Sequence, residues 1–235
     1  MSDTAASGLR ATRVFDVTPK EAVRLQEMMR GKIETSSPLD LTRLRFVAGV
    51  DVSYLKGDDS MFAAAAVFSY PALEVVESRS GSAPVNFPYV PGLLAFREAP
   101  AIIAVLGGLK TEPDVLLVDG HGVAHPRGAG IASHLGVALG LPSIGVAKTV
   151  LVGDFSEPGP ERGASSPLAL EGRTVGLALR TRRGVKPVFV SVGHLADLES
   201  AAWLALSCCG RYRLPEPIRE AHRLANLARV SNNAT

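Results

Sequence analysis

Val115-Leu-Leu-Val118 is an unbroken apolar run that ends on Asp119 and passes at once into a stretch rich in Gly, His and Pro. A run this short between turn residues reads as a strand buried on both faces. A helical pattern follows, opening near Gly128. Upstream, Thr18-Pro19-Lys20-Glu21 is a capping box with proline at the first helical position, predicting a helix over 19–33 with Val23 and Met28 among its apolar positions. Ser36-Ser37-Pro38 ends it. Three strands are expected at 46–54, 61–70 and 73–79, with a turn at Gly57-Asp58-Asp59 between the first two and spacing that suits a meander. A Pro/Gly-punctuated loop is expected over 81–92, then a helix over 93–109 whose Ile102, Ile103, Leu106 and Leu109 share one face. Pro100 implies either a kink or a helix whose first turn holds it.

Downstream, 143–147 reads as a strand ending at Lys148, 173–180 and 187–192 as further strands, and 197–209 and 217–230 as helices. The polar, Pro/Gly/Ser-rich stretch 154–168 reads as a surface loop within the domain, and 1–16 as a flexible arm. Three strands, a helix, a strand, a helix and a strand in that order indicate an α/β fold with a mixed sheet flanked by helices. By analogy this is the ribonuclease H-like order.

Composition narrows the setting without deciding it. At 235 residues, a single domain over the whole chain is expected, with 46% hydrophobic and 20% charged residues. A net charge of +2 permits a nucleic-acid partner but does not demand one. Cys208 and Cys209 are adjacent within an apolar pattern, which suits core filling rather than a disulfide framework. The first residues carry no apolar signal core, and the longest apolar run, 100–109, is too short to span a bilayer. A cytoplasmic protein without membrane contact is expected.

Asp51 interrupts an apolar strand, Asp119 stands at a strand end before glycines that let a ligand approach, Glu98 is at the head of a helix, and Lys148 ends a strand. Singly, each has a plain structural role: a paired carboxylate, a turn, a solvated helix face, a snorkelling lysine. Together they are three carboxylates and a lysine at element ends, where ligands of open α/β sheets bind. Oxygen donors without cysteine suit Mg²⁺ or Mn²⁺, and such ions can drive an in-line phosphoryl displacement. Competing motifs fail on spacing. Gly128-Ala-Gly130-Ile-Ala-Ser133 lacks the third glycine of a dinucleotide fingerprint, and Gly145-Val-Ala-Lys148-Thr149 has no glycine before its lysine. His121 and His125 lie in a non-helical stretch without cysteine, against structural zinc. The loop Phe87-Pro-Tyr89-Val90-Pro91 carries two aromatics stiffened by proline. They pin the loop to the core or serve as a wedge between bases. In the last helix, Ile218, Ala221, Leu224, Ala225 and Ala228 can face the core. Arg219, His222, Arg223 and Arg229 form a solvated face or lie along a phosphate backbone.

These residues fall within a series of motifs that resembles the endonuclease V family over nearly the whole chain, from Val47 to about Ala228. The motifs are Val47-Ala-Gly-Val-Asp51-Val-Ser-Tyr54, Pro88-Tyr89-Val-Pro-Gly-Leu-Leu-Ala-Phe-Arg-Glu98, Asp119-Gly120-x-Gly122-x-Ala124-His125-Pro126-Arg127, Gly130-Ile-Ala-Ser-His134-Leu-Gly136, Gly145-Val-Ala-Lys148 and Ser191-Val-Gly-His194. The resemblance implies a ribonuclease H-like, Mg²⁺-dependent DNA repair endonuclease, with Mn²⁺ as a substitute. Such an enzyme nicks DNA containing deoxyinosine on the 3′ side, one nucleotide beyond the flipped lesion. It implies Asp51 and Asp119 as metal ligands, Glu98 and Lys148 completing the catalytic set, and Tyr89, Val90 and Pro91 as the wedge. It also implies Leu94, Gly120, His125, Gly130, Ile131 and Leu151 as the lesion pocket, with Gly120, Gly122 and Gly130 giving clearance to the base, and His194 as a histidine near the metal. The run after Lys148, Thr149-Val150-Leu151, lacks the basic residue that relatives often carry there. A monomer is expected. An endoribonuclease acting on inosine in RNA and a non-catalytic inosine-binding module are the alternatives.

Overall fold

The computed structural model describes residues 17–55 and 59–232. The expected arm over 1–16 and most of the turn at 57–59 lie outside them. The elements are α1 (Pro19–Arg30), β1 (Phe46–Tyr54), β2 (Ser60–Ser69), β3 (Val75–Pro84), α2 (Leu94–Leu106), β4 (Val115–Val118), α3 (Ile131–Leu139), β5 (Ser143–Ala147), β6 (Ser165–Leu170), β7 (Arg173–Leu179), β8 (Val188–His194), α4 (Leu198–Ser207) and α5 (Glu216–Asn232). One eight-stranded sheet has the order β3-β2-β1-β4-β5-β8-β7-β6. Strands β1, β4 and β5 are parallel neighbours, and the other pairings are antiparallel. This is the mixed sheet flanked by helices that the element order indicates.

Side-chain alternation along a strand divides the core between the two faces. On β4, Leu116 and Val118 pack in a cluster with Ile102 of α2 and Leu135 of α3. Val115 and Leu117 pack on the opposite face with Leu204 of α4 and Ile218 of α5. Burying each such side chain contributes roughly 1.5–3 kcal/mol. The four residues of β4 therefore offset a desolvation cost of a few kcal/mol at the carboxylate that follows them. Gly49 matters on the second face: a Cβ there would overlap the Pro217 backbone, so only glycine lets α5 lie directly on β1.

The capping box forms as expected, with the Thr18 side chain accepting from Glu21 N and the Glu21 carboxylate accepting from Thr18 N. Pro100 falls inside α2, so it does not open the helix. Two strand expectations need correction, for one reason. Strand β3 runs on through Ser78, Ser80 and Ser82 to Pro84, and β6 takes up Ser165–Leu168 at the end of the expected 154–168 loop. Both are edge strands. Each has a single neighbouring strand, with β6 adding only one bridge from Ala169 to Asp154, and polar side chains suit an edge, so hydrophobic patterning does not mark them. Among the described residues, no helix is long and apolar enough to cross a membrane.

Candidate active site

The parity that divides the core also builds the site. Gly49 pairs with Leu117 and Val50 with Val118, so one residue further on Asp51, within β1, comes level with Asp119, just past the carboxyl end of β4. Both are odd-numbered positions on the face covered by α5. That helix, seated on Gly49 through Pro217 and Ile218, presents His222 one turn later. His222 Nδ1 donates to Asp51 Oδ2 at 2.5 Å, and Asn226 Nδ2 donates to His222 Nε2 at 3.0 Å. Donor atoms of Asp51, Asp119 and His222 all lie within 4.8 Å of one another. Burial pushes the Asp51 carboxyl up, and repulsion from Asp119 pushes it further. Two crowded carboxylates and an imidazole, with no thiolate, are a donor set that suits a small hard divalent cation.

Glu98 comes from the other face, from the second turn of α2. Burial above all, then repulsion from Asp51 and Asp119, pushes its carboxyl up to about 8, against the lowering effect of a hydrogen bond from Tyr54. The Tyr54 hydroxyl donates to Glu98 Oε1 at 2.9 Å. Arg97 lies over the Tyr54 ring, 4.9 Å from its centroid, and donates to the Phe87 carbonyl at 2.7 Å. Lys148 follows β5 and pairs with Asp119. Its side chain is 42% exposed against 12% for Asp119, so the ammonium stands at the rim. Arg213 fixes the Lys148 backbone, donating to its carbonyl at 2.7 Å and to that of Pro187 at 2.6 Å. The four catalytic candidates thus converge from four elements well separated in sequence.

The aromatic loop does two things at once. Phe87 is buried and packs on Phe96 with ring centroids 5.6 Å apart. Tyr89 is 72% exposed. One aromatic therefore anchors the loop and the other stands in solvent, with Pro88 between them. Val90-Pro91-Gly92-Leu93 closes as a turn, with Leu93 N donating to Val90 O at 2.9 Å and Gly92 at φ +78°. Proline followed by a positive-φ glycine at the two central positions is the type II pattern. Beneath Tyr89 lies a slot of about 220 Å³. It is lined by Tyr89, Val90 and Pro91 and by Leu94, Gly120, His125, Gly130, Ile131 and Leu151, together with Gln26, His121 and Thr149. At roughly 30 Å³ per water, it has room for a flat bicyclic base. His125 Nε2 donates to Gly92 O at 3.0 Å while Nδ1 accepts from Arg127 N at 3.2 Å. Burial holds its ring down at about 4, so it is neutral with the proton on Nε2.

A sequence model described as endonuclease V matches residues 27–223 of the chain. A curated endonuclease V from Gloeobacter violaceus is 47% identical over 226 residues, covering 93% of this chain and 89% of its own. The chain belongs to the endonuclease V family. It is therefore a hydrolase of the nuclease class. The crystal structure of endonuclease V from Streptomyces avermitilis superposes with a TM-score of 0.89 at 44% identity, covering 93% of this chain and 96% of that one. Endonuclease V from Ciona intestinalis has been solved with a 23mer DNA containing an inosine followed by a ribo-adenosine. It superposes with a TM-score of 0.82 at 30% identity over 92% of this chain and all of that one.

Against the endonuclease V motifs, the structure makes three changes. His194, expected near the metal, stands opposite Ser143 at the start of β5 and accepts from Glu34 N at 3.2 Å. Lys148, just past the end of that strand, lies five residues further along, roughly 17 Å away at 3.3 Å per residue. His222 occupies the place assigned to His194. Its signal was its position four residues after Ile218, visible only once that helix docks on Gly49. The third change concerns the glycines. A Cβ at Gly122 would overlap the Val192 carbonyl, and one at Gly130 would overlap that of His121. Backbone packing, rather than clearance for a base, requires glycine at these two positions.

Proposed function

We propose that this endonuclease recognises deoxyinosine in DNA by turning the base out of the helix and hydrolyses the phosphodiester one nucleotide beyond it on the 3′ side. The observation that carries the reading is the juxtaposition of the Asp51–Asp119–His222 cluster with a base-sized slot capped by an exposed tyrosine. Extrusion costs a few kcal/mol. A tyrosine held between prolines on a loop anchored by Phe87 can fill the vacated stack without itself being ordered at that moment.

Asp51, Asp119 and His222 would hold Mg²⁺, with Mn²⁺ as a substitute. A bound divalent ion supplies an acidified water and charge stabilisation at the phosphoryl oxygens. The chain's own residues do the rest. Glu98, titrating near 8 when no cation is present, is suited to hold the proton lost by the attacking water. The Tyr54 hydroxyl orients its carboxylate. Lys148, at the rim, can leave Asp119 for the scissile phosphate. Water adds to phosphorus as the P–O3′ bond breaks, and the leaving O3′ takes a proton from solvent, leaving a 3′-hydroxyl upstream and a 5′-phosphate downstream. Incubating the protein with a duplex carrying one deoxyinosine, with Mg²⁺ or with chelator, tests this. A nick that needs both the lesion and the cation is expected, and its absence from folded protein would defeat the proposal.

Tyr89→Ala is expected to weaken binding to the deoxyinosine duplex about 5- to 100-fold, the scale of a lost base–aromatic stack, while plain duplex binding changes little. Titrations of both duplexes at one salt concentration measure it, and equal losses would remove the wedge from the account. Inosine in RNA is a second reading, favoured by the ribo-adenosine in the Ciona intestinalis complex. Competition between DNA and RNA oligonucleotides at fixed salt separates the two. A purely binding module fits poorly, since recognition alone needs no buried Glu98 beside two further carboxylates.

A further inference from the structure

Gln26 of α1 is 1% exposed and lies more than 60 residues in sequence from anything it holds. Its amide nitrogen donates to Gly92 O at 2.9 Å and to Ala129 O at 3.0 Å. Its amide oxygen accepts from Arg127 Nε at 2.5 Å. Gly92 closes the wedge turn, and Ala129 immediately precedes the glycine that opens α3. These are the two walls of the slot beneath Tyr89, and Gln26 itself lines that slot. Arg127 Nη2 and His125 Nε2 also donate to Gly92 O, at 2.8 and 3.0 Å. Three side chains thus converge on one carbonyl: His125 and Arg127 from the segment that leads into α3, and Gln26 from α1, which also holds that segment at Ala129.

We propose that Gln26 is a positioning residue that sets the width of the lesion slot by tying the wedge turn at Gly92 to the α3 entry at Ala129. The proposal rests on the slot being the base pocket. A primary amide is the neutral side chain with two N–H donors and an acceptor at one end, which is what two carbonyls and a guanidinium require. Helix α1 packs on the α2–α3 side of the core through Ala22, which places Gln26 one turn further along against the slot. Its contribution to the site is a further tie, from a third element, between two segments that His125 and Arg127 already join. A preformed slot spares the ordering cost that binding would otherwise incur.

Gln26→Met keeps the volume and removes every polar contact. Gln26→Glu keeps an oxygen for Arg127 but turns the second oxygen against two carbonyls. In full-length protein with Mg²⁺, both variants should raise KM for the deoxyinosine duplex about 10- to 100-fold, the scale of losing hydrogen bonds to buried acceptors. The fall in kcat should be much smaller, and affinity for plain duplex and half-saturating Mg²⁺ should stay unchanged. A packing role alone would lower the melting temperature and leave KM in place. Wild-type KM in folded Q26M and Q26E overturns the proposal. Amide hydrogen exchange over 92–94 and 130–132 gives a readout independent of activity. It should quicken in either variant that folds, and unchanged exchange also overturns the proposal. If wild-type protein does not nick the deoxyinosine duplex, the functional reading fails while the exchange result still decides the role of Gln26. If both Gln26 variants fail to fold, Arg127→Met, which releases the other side of the amide, must quicken exchange in the same two segments, or the tie is refuted.

Discussion

Asp119→Asn is expected to lower Mg²⁺-dependent nicking of a deoxyinosine duplex by about 10³-fold or more, on the scale seen when a member of a catalytic unit is removed. The substitution is isosteric, so β4 and the slot should survive it. What changes is charge. Asp119 stands level with Asp51, shares a 4.8 Å cluster with His222, and pairs with Lys148. An amide removes one of two carboxylates able to neutralise a divalent cation and releases the lysine from its partner. Single-turnover cleavage with Mg²⁺ in excess measures the loss. Binding of the same duplex in chelator should remain, since Asp119 is not among the groups around the slot. Activity within tenfold of wild type would show that the phosphoryl chemistry happens elsewhere.

Glu98→Gln is expected to abolish nicking and yet stabilise the metal-free protein in mild alkali. The Glu98 carboxyl titrates at about 8 in the folded chain against 4.5 for the unperturbed group. Between those values the folded protein keeps a proton that the unfolded chain has lost. Folding stability contributed by this group therefore falls as pH rises from about 4.5 to 8 and stays low above 8. Glutamine cannot ionise, so the variant escapes that fall. With chelator present, melting temperatures of wild type and E98Q should diverge through this window, the variant becoming the more stable. The gain is roughly 2–4 °C for each kcal/mol of repulsion and desolvation removed. Mg²⁺ should narrow or reverse the difference by offsetting the repulsion in wild type. Parallel melting curves from pH 5 to 9 would mean that Glu98 is neither buried from solvent nor held against Asp51 and Asp119.

Much of this was legible in the chain, and the omissions share a cause. Strands β4 and β5, both buried on two faces, match their apolar runs residue for residue, because burial itself writes that pattern. Asp51, Asp119, Glu98 and Lys148 stand out in the chain as charges against apolar elements; the register of β1, β4 and β5 places Asp51, Asp119 and Lys148, while α2 brings Glu98 from the other face. The polar edge strands β3 and β6 were shortened or missed, since backbone pairing rather than apolar contact holds them. In sequence His222 is one of several polar residues on an amphipathic helix, because its meeting with Asp51 depends on how α5 seats on Gly49. Gln26 gave no signal at all. A buried amide that serves two carbonyls 66 and 103 residues away looks in sequence like any polar residue of a surface helix.

The central claim is that a divalent-ion site made of Asp51, Asp119 and His222 cuts at a fixed offset from a base held in the slot under Tyr89. Mapping the nick on a duplex with one deoxyinosine, each strand labelled at each end in turn, tests it most directly. The account predicts a single Mg²⁺-dependent break in the lesion strand, one nucleotide beyond deoxyinosine on its 3′ side, with a 3′-hydroxyl and a 5′-phosphate. A break on the 5′ side, release of the free base, or cutting that ignores the lesion would contradict it.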